Sequence, residues 1–242
     1  MWRWLIIAKA LSALTGAAEL QVAAAADLAG VQPALGAAFS SRNTRATVRW
    51  ITGSSGVLAK QAENGAPFDV FLSASESYVL ELVSKGVAVR ETTVVYATGR
   101  VGLWSLSGSV RSLDDLSKPG VLHVAIANPA HAPYGMAAKE ALESRGVWAK
   151  LAGKMVYGEN VRQALQFAES GNADAVLTAW SLVRSKPGAV ELPPKGSYKP
   201  LRQAGVVLKS SREAKAAGEF LRFLMSAEAR KILRDAGFGA VE

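Results

Sequence analysis

The strongest constraint in this sequence is a rhythm of short apolar runs and amphipathic stretches, with small-residue turns where one gives way to the next. A buried parallel strand reads as a continuous apolar run, and the crossover to the next strand needs a helix, so the rhythm specifies an α/β chain. Leu20 to Ala25 is the first predicted strand and Leu28 to Ser41 the helix after it. Thr47 to Thr52 (TVRWIT) is the second strand, and Gly53 to Gly56 (GSSG) opens a helix reaching about Asn64. Pro67 to Ser73 (PFDVFLS) is the third strand; the helix from Glu76 to Lys85 stops at Gly86, a residue type that ends helices.

The rhythm then repeats. Strands are predicted over Leu122–Ala127, Lys154–Tyr157 and Ala175–Ala179, with helices over Gly135–Arg145 and Val161–Ser170 between them. Two further apolar stretches, Thr93 to Ser105 and Gly205 to Lys209, read as strands that connect two lobes. The resulting division is 19–97 plus 206–242 for lobe one and 98–205 for lobe two, with hinges near Ala97–Val101 and Ala204–Val206. Pro187 to Pro200 reads as an exposed loop because of its prolines and glycines, and Ser211 to Gly237 as one or two terminal helices. Two lobes joined by two crossings leave a cleft, and such clefts hold ligands.

The first residues follow a different logic. Met1 to Arg3 is a short positive start, and Trp4 to Ala18 is apolar, interrupted by Lys9 and closing in small residues. Residues 1–18 therefore read as a secretory signal peptide cut after Ala17 or Ala18, which makes the expected product soluble, exported and periplasmic. Its loss removes Arg3 and Lys9 and takes the formal net charge from +8 to +6. Lys and Arg are interspersed with acids, so the positive balance does not read as a nucleic-acid surface. The chain has no Cys, which excludes disulfides, thiolate metal sites, cysteine nucleophiles and a lipid-anchoring cysteine near the cleavage point.

Catalysis finds little support. His123 lies in a strand-like run and reads as a packed residue. His131 sits in the loop NPAHAPYG, but no spacing couples it to a serine and an acid. GSSG lacks the spacing of a nucleophile elbow. A serine-dependent hydrolase using Ser54 or Ser55 with His131 stays as the alternative from another class.

Binding uses the same residues better. A small-residue turn that ends a strand and opens a helix offers backbone N–H groups at the positive end of the helix dipole, where an anion is favoured. Four such turns occur: Ala25 to Leu28, Gly53 to Gly56, Pro133 to Met136 and Gly158 to Val161. Each is also readable as a plain N-cap, through Asp27, Ser54 or Ser55, and Asn160. If all four face one cleft, they surround a small oxyanion with neutral donors.

The segments AAAADL (Ala23–Leu28), TGSSGVLAKQAENGAPFDVFLSA (Thr52–Ala74), NPAHAPYGMAAKEAL (Asn128–Leu142) and ENVRQAL (Glu159–Leu165) resemble, in order and spacing, the periplasmic molybdate-binding proteins of ABC importers. The resemblance implies a type II periplasmic binding protein: two α/β lobes, each a mixed sheet covered by helices, that close on a tetrahedral oxyanion. It further implies that Ser54 contacts the anion through hydroxyl and N–H, and that Tyr134 and Val161 do so through backbone N–H groups. Molybdate or tungstate would be held by its oxygens at Ser54, Tyr134 and Val161, with no direct metal-ion ligand and no cofactor. The implied partner is an inner-membrane ABC permease, and the expected state is a monomer.

Two positions depart from that pattern. Ala26 stands where many members carry serine, and Ala179 where some offer a tyrosine hydroxyl. A lost hydrogen bond to a charged group costs about 1.5 to 3 kcal/mol. Tyr134 O–H and Asp27 N–H are the candidates to replace the missing donors. The Asp27 side chain is expected to cap its helix facing away; turned inward it would repel a dianion and favour a protonated one such as hydrogen phosphate. Molybdate and tungstate are larger than sulfate or phosphate, so a rigid ring of donors would select by radius. Sulfate or phosphate remains the alternative ligand, and Lys60 and Arg162 are candidates for steering the anion inward.

Overall fold

The structure is a computed structural model that describes residues 18–42, 46–192 and 196–241. Strand β1 (Ala18–Ala25) begins on the last residue of the expected signal peptide; the rest of that segment lies outside the described residues. The first half continues as α1 (Gln32–Arg42), β2 (Ala46–Gly53), α2 (Ser55–Glu63), β3 (Val70–Ser73), α3 (Glu76–Ser84) and β4 (Val94–Gly99). Strands β1, β2 and β3 are parallel, as βα repetition demands.

After β5 (Val101–Trp104) come β6 (Val124–Ala127), α4 (Pro133–Ser144), β7 (Met155–Gly158), α5 (Val161–Glu169), β8 (Ala175–Ala179), the short α6 (Trp180–Val183) and β9 (Val190–Leu192). The chain then returns through β10 (Leu201–Val207) and ends in α7 (Ala214–Leu224) and α8 (Ala227–Asp235). Two five-stranded mixed sheets result, ordered β2-β1-β3-β10-β4 and β7-β6-β8-β5-β9. In each, one strand, β10 in the first and β5 in the second, runs antiparallel to the other four.

Alternation along β1 explains why the first sheet is covered on both faces. Leu20, Val22 and Ala24 pack with Leu35, Phe39, Phe220 and Leu233 under α1, α7 and α8, while Ala23 joins Leu58, Phe71, Val79 and Leu82 under α2 and α3. Phe39 and Phe220 meet edge to face at 5.1 Å, the geometry aromatic rings favour. In the second sheet Leu103, Ile126 and Leu177 pack with Ala138 and Leu142 of α4, and Trp104, Ala125 and Val176 with Ala164 and Leu165 of α5.

Several boundaries differ from the sequence reading. The run Thr93–Ser105 breaks at Arg100, so β4 belongs to the first sheet and β5 to the second. Arg100 braces that joint, donating from Nε and Nη2 to the Gly237 carbonyl and from Nη1 to Glu191 Oε1 at 2.6 Å. Strand β10 starts at Leu201, which carries the first sheet a few residues past the 206 boundary assigned to lobe one. Ala204 to Val206 therefore sits inside a paired strand, and the return crossing lies between β9 and β10. The Pro187–Pro200 stretch is not all loop, because Val190–Leu192 pairs with β5 as an edge strand.

Candidate functional site

The parallel strands of the two sheets point their carboxyl ends at each other, and the turns that follow them enclose one small cavity. The first lobe contributes Ala26, Asp27, Ser54 and Ser55 to its wall, and the second contributes Tyr134, Asn160 and Val161. All five sequence-predicted site residues, Ala26, Asp27, Ser54, Tyr134 and Val161, are thus brought together. Ala179, at the end of β8, is fully buried and stands outside that wall. The centre of a water-sized sphere has about 10 Å³ to move in, the scale of a single small ion rather than an organic solute.

Each turn is built for close approach. Pro133 opens α4 with its φ already helical, and Gly135 follows because a Cβ there would lie 2.1 Å from the Ala127 carbonyl oxygen. Asn160 caps α5, its Oδ1 accepting from the N–H groups of Arg162 and Gln163 at 2.9 and 3.2 Å. Thr178 Oγ1 donates to the Val161 carbonyl at 2.9 Å and ties that first turn to β8.

The two serines divide their labour. Ser54 occupies the N-cap position of α2 without making a side-chain cap bond; its Oγ lies 2.8 Å from His131 Nδ1 on the other lobe. Ser55 Oγ accepts from the buried Ala74 N–H at 3.0 Å, a structural duty. The expectation of a packed histidine fails at His123, which is exposed at the edge of β6. Lys60 is held by Glu63 at 3.0 Å rather than standing free to steer an anion.

Asp27 overturns the capping expectation. Its side chain makes no cap bond; the residue is 1 % exposed, and Oδ2 accepts from Tyr134 Oη at 3.0 Å and Gln203 Nε2 at 2.7 Å. Tyr134 O–H is therefore engaged by a carboxylate and does not replace the missing hydroxyls. Desolvation pushes the Asp27 carboxyl up from 3.8 to about 6, against the lowering pull of Tyr134, Gln203 and the N–H groups of Asp27 and Leu28. Burial, reinforced by the Asp27 charge, holds the Tyr134 phenol well above its usual range.

Gln203 is the residue the sequence reading missed. It is fully buried in β10, where the register with β4 shifts between Gln203 and Ala204, a bulge that turns its amide toward Asp27. Gly99 makes room, because a Cβ there would come within 2.7 Å of the Gln203 amide nitrogen. No local pattern marks Gln203, since its partner is 176 residues away in sequence.

The lobes are closed on each other. Gly56 N–H donates to the His131 carbonyl at 2.9 Å, and Ser181 Oγ donates to the Asp27 carbonyl at 2.8 Å. Among the described residues no carboxylate is bonded to His131, and no three His, Asp or Glu side chains converge as a metal site.

Paired α/β lobes closed over one small cavity, with the first turns of helices from both lobes in its walls, have the architecture of a binding protein that captures a small solute. The chain belongs to the bacterial extracellular solute-binding protein family, whose model matches residues 20–239. It is 39 % identical to the molybdate-binding protein ModA of Rhodobacter capsulatus over 97 % of this chain and 92 % of that relative. To the protein of the same name in Azotobacter vinelandii it is 32 % identical, over 95 % and 93 %. The solved structure of the Azotobacter vinelandii periplasmic molybdate-binding protein superposes with a TM-score of 0.86 at 30 % identity, covering 92 % of this chain and all of that one. The fold is a two-lobed α/β binding protein, and the protein is a solute-binding transport component rather than an enzyme. Among the described residues no helix is long and apolar enough to cross a membrane.

Proposed function

We propose that this protein captures molybdate in the interlobe cavity, in the periplasm, and delivers it as a soluble monomer to the permease of an ABC importer. The observation that carries the reading is the 39 % identity to a molybdate-binding protein over 97 % of the chain, joined to a cavity scaled for one small ion. The Ser54 hydroxyl and the N–H groups of Ala26, Asp27, Ser54, Tyr134 and Val161 are the donors expected to meet the anion's oxygens, and no cofactor takes part. Neutral donors suit a dianion whose charge must be dispersed in a dry cavity without a fixed counterion. Tungstate, of similar size and charge, is expected to bind by the same contacts.

The test is a thermal-shift series on protein lacking residues 1–18, with molybdate, tungstate, sulfate and phosphate at equal concentration. A ligand at about a hundred times its Kd stabilises the native state by roughly 2.7 kcal/mol. Molybdate and tungstate should raise the midpoint while the other two leave it in place. A shift with sulfate or phosphate alone would reassign the ligand, and no shift with any of them would refute oxyanion binding.

A further inference from the structure

Asp27 poses a chemical problem that the captured anion sharpens. Asp27 lines the wall of an anion site with 1 % of the residue exposed, and an ionised carboxyl on such a residue opposes the ligand. The hydrogen bonds around it are also lopsided. Oδ2 takes both side-chain donors, Tyr134 Oη and Gln203 Nε2, whereas Oδ1 is buried without a partner. A buried acceptor left unpaired is costly, and a protonated carboxyl oxygen is instead a donor in need of an acceptor.

Among the described residues, no Lys or Arg stands beside Asp27 in the cavity wall to keep it ionised. From α4 it meets the Tyr134 phenol, from β10 the Gln203 amide, and from β4 the Tyr96 phenol, which reaches Gln203 Oε1 at 3.4 Å. From α6 it meets the Ser181 hydroxyl on its backbone carbonyl, and across the cavity Ser54 with His131 behind it. Tyr134, Tyr96 and His131 are the titratable groups in that set.

We propose that Asp27 binds the anion as the neutral acid, its Oδ1–H donating to a ligand oxygen, so that each capture takes up one proton. The proton comes from solvent and stays on Asp27, and no other bond is made or broken. This O–H takes the place of the hydroxyl donor absent at the neighbouring Ala26. Burial already raises the Asp27 carboxyl to about 6, and an adjacent dianion drives it further in the same direction. The inference rests on the oxyanion reading above and adds a proton to it.

Calorimetry of molybdate binding to the exported protein at pH 7.5, in two buffers of different ionisation enthalpy, counts the protons taken up. One proton per anion is expected, falling toward zero by pH 5, with Kd rising about tenfold for each pH unit above the Asp27 transition. Asp27→Asn should show neither uptake nor that slope, whatever its absolute affinity, and it reports any pH dependence belonging to the anion itself. Molybdate bound with no proton uptake overturns the proposal and leaves the ligand assignment intact. Binding of neither molybdate nor tungstate at any pH overturns both, and so does a preference for hydrogen phosphate, which brings its own proton.

Discussion

Gly56→Ala separates closure from folding within a single residue. Gly56 is the second residue of α2, and its N–H reaches across the cleft to the His131 carbonyl at 2.9 Å. A Cβ at that position would stand 2.7 Å from the same carbonyl oxygen and 2.9 Å from the Tyr78 hydroxyl. Tyr78 can swing aside, but the carbonyl is backbone and moves only if the lobes part. Overpacking of this kind costs about 1 to 3 kcal/mol, and here the cost falls on the closed form alone. Ligand affinity should therefore weaken about 5- to 150-fold, since it scales with the population able to close. With the lobes apart the same substitution replaces glycine by alanine in a helix, which favours folding by up to about 1 kcal/mol. The combined expectation is a ligand-free melting midpoint that holds or rises while Kd by calorimetry rises. Affinity within twofold of the parent, or a ligand-free midpoint several degrees lower, would refute the assignment of Gly56 to closure.

Gly135→Ala should act on folding instead, because its Cβ would lie 2.1 Å from the Ala127 carbonyl within one lobe; a loss of about 1 to 3 kcal/mol, read as a lower ligand-free midpoint, is expected. Ser54→Ala removes a donor from the anion and should raise Kd about ten- to hundredfold with little change in stability. Ser55→Ala leaves the Ala74 N–H unpaired and should lower stability by about 1 to 3 kcal/mol, so calorimetry and thermal melts tell the two serines apart. Asp27 is more acidic unfolded, at 3.8, than folded, at about 6, so the folded state holds the extra proton between those values. Its contribution is present below pH 4 and lost as pH rises through about 6, worth up to about 3 kcal/mol. Asp27→Asn should consequently gain stability over the parent between pH 5 and pH 7.5, and parallel denaturation curves across that range would contradict the buried, unpaired state of the carboxyl.

Where local chemistry decides structure, the sequence was sufficient. The three opening strands fall where apolar runs end in small residues, and Gly86, at φ 70°, stops its helix as its position suggests. Asn160 caps α5 through the side chain that made it a candidate. Asp27 looked equally like a cap, but its partners Tyr134 and Gln203 lie 107 and 176 residues away. Only the folded chain brings them close, so the local preference yielded to a tertiary one. Strand β9 escaped for a related reason: three residues between prolines carry no periodicity, and pairing with β5 alone makes them a strand. Strands β4 and β5 are each apolar, and nothing but the sheet they join distinguishes them.

The bulge in β10 places one side chain where both crossings between the lobes and the cavity wall meet. Gln203 lies on the strand by which the chain returns to the first lobe and Tyr96 on the strand by which it leaves; the Tyr96 hydroxyl donates to Gln203 Oε1, and the Gln203 amide donates to the Asp27 oxygen that Tyr134 also holds. One carboxyl is therefore linked directly to β10 and α4, and through Gln203 to β4. Three hydrogen bonds thus tie the wall of the cavity to both strands that meet at the joint between the lobes.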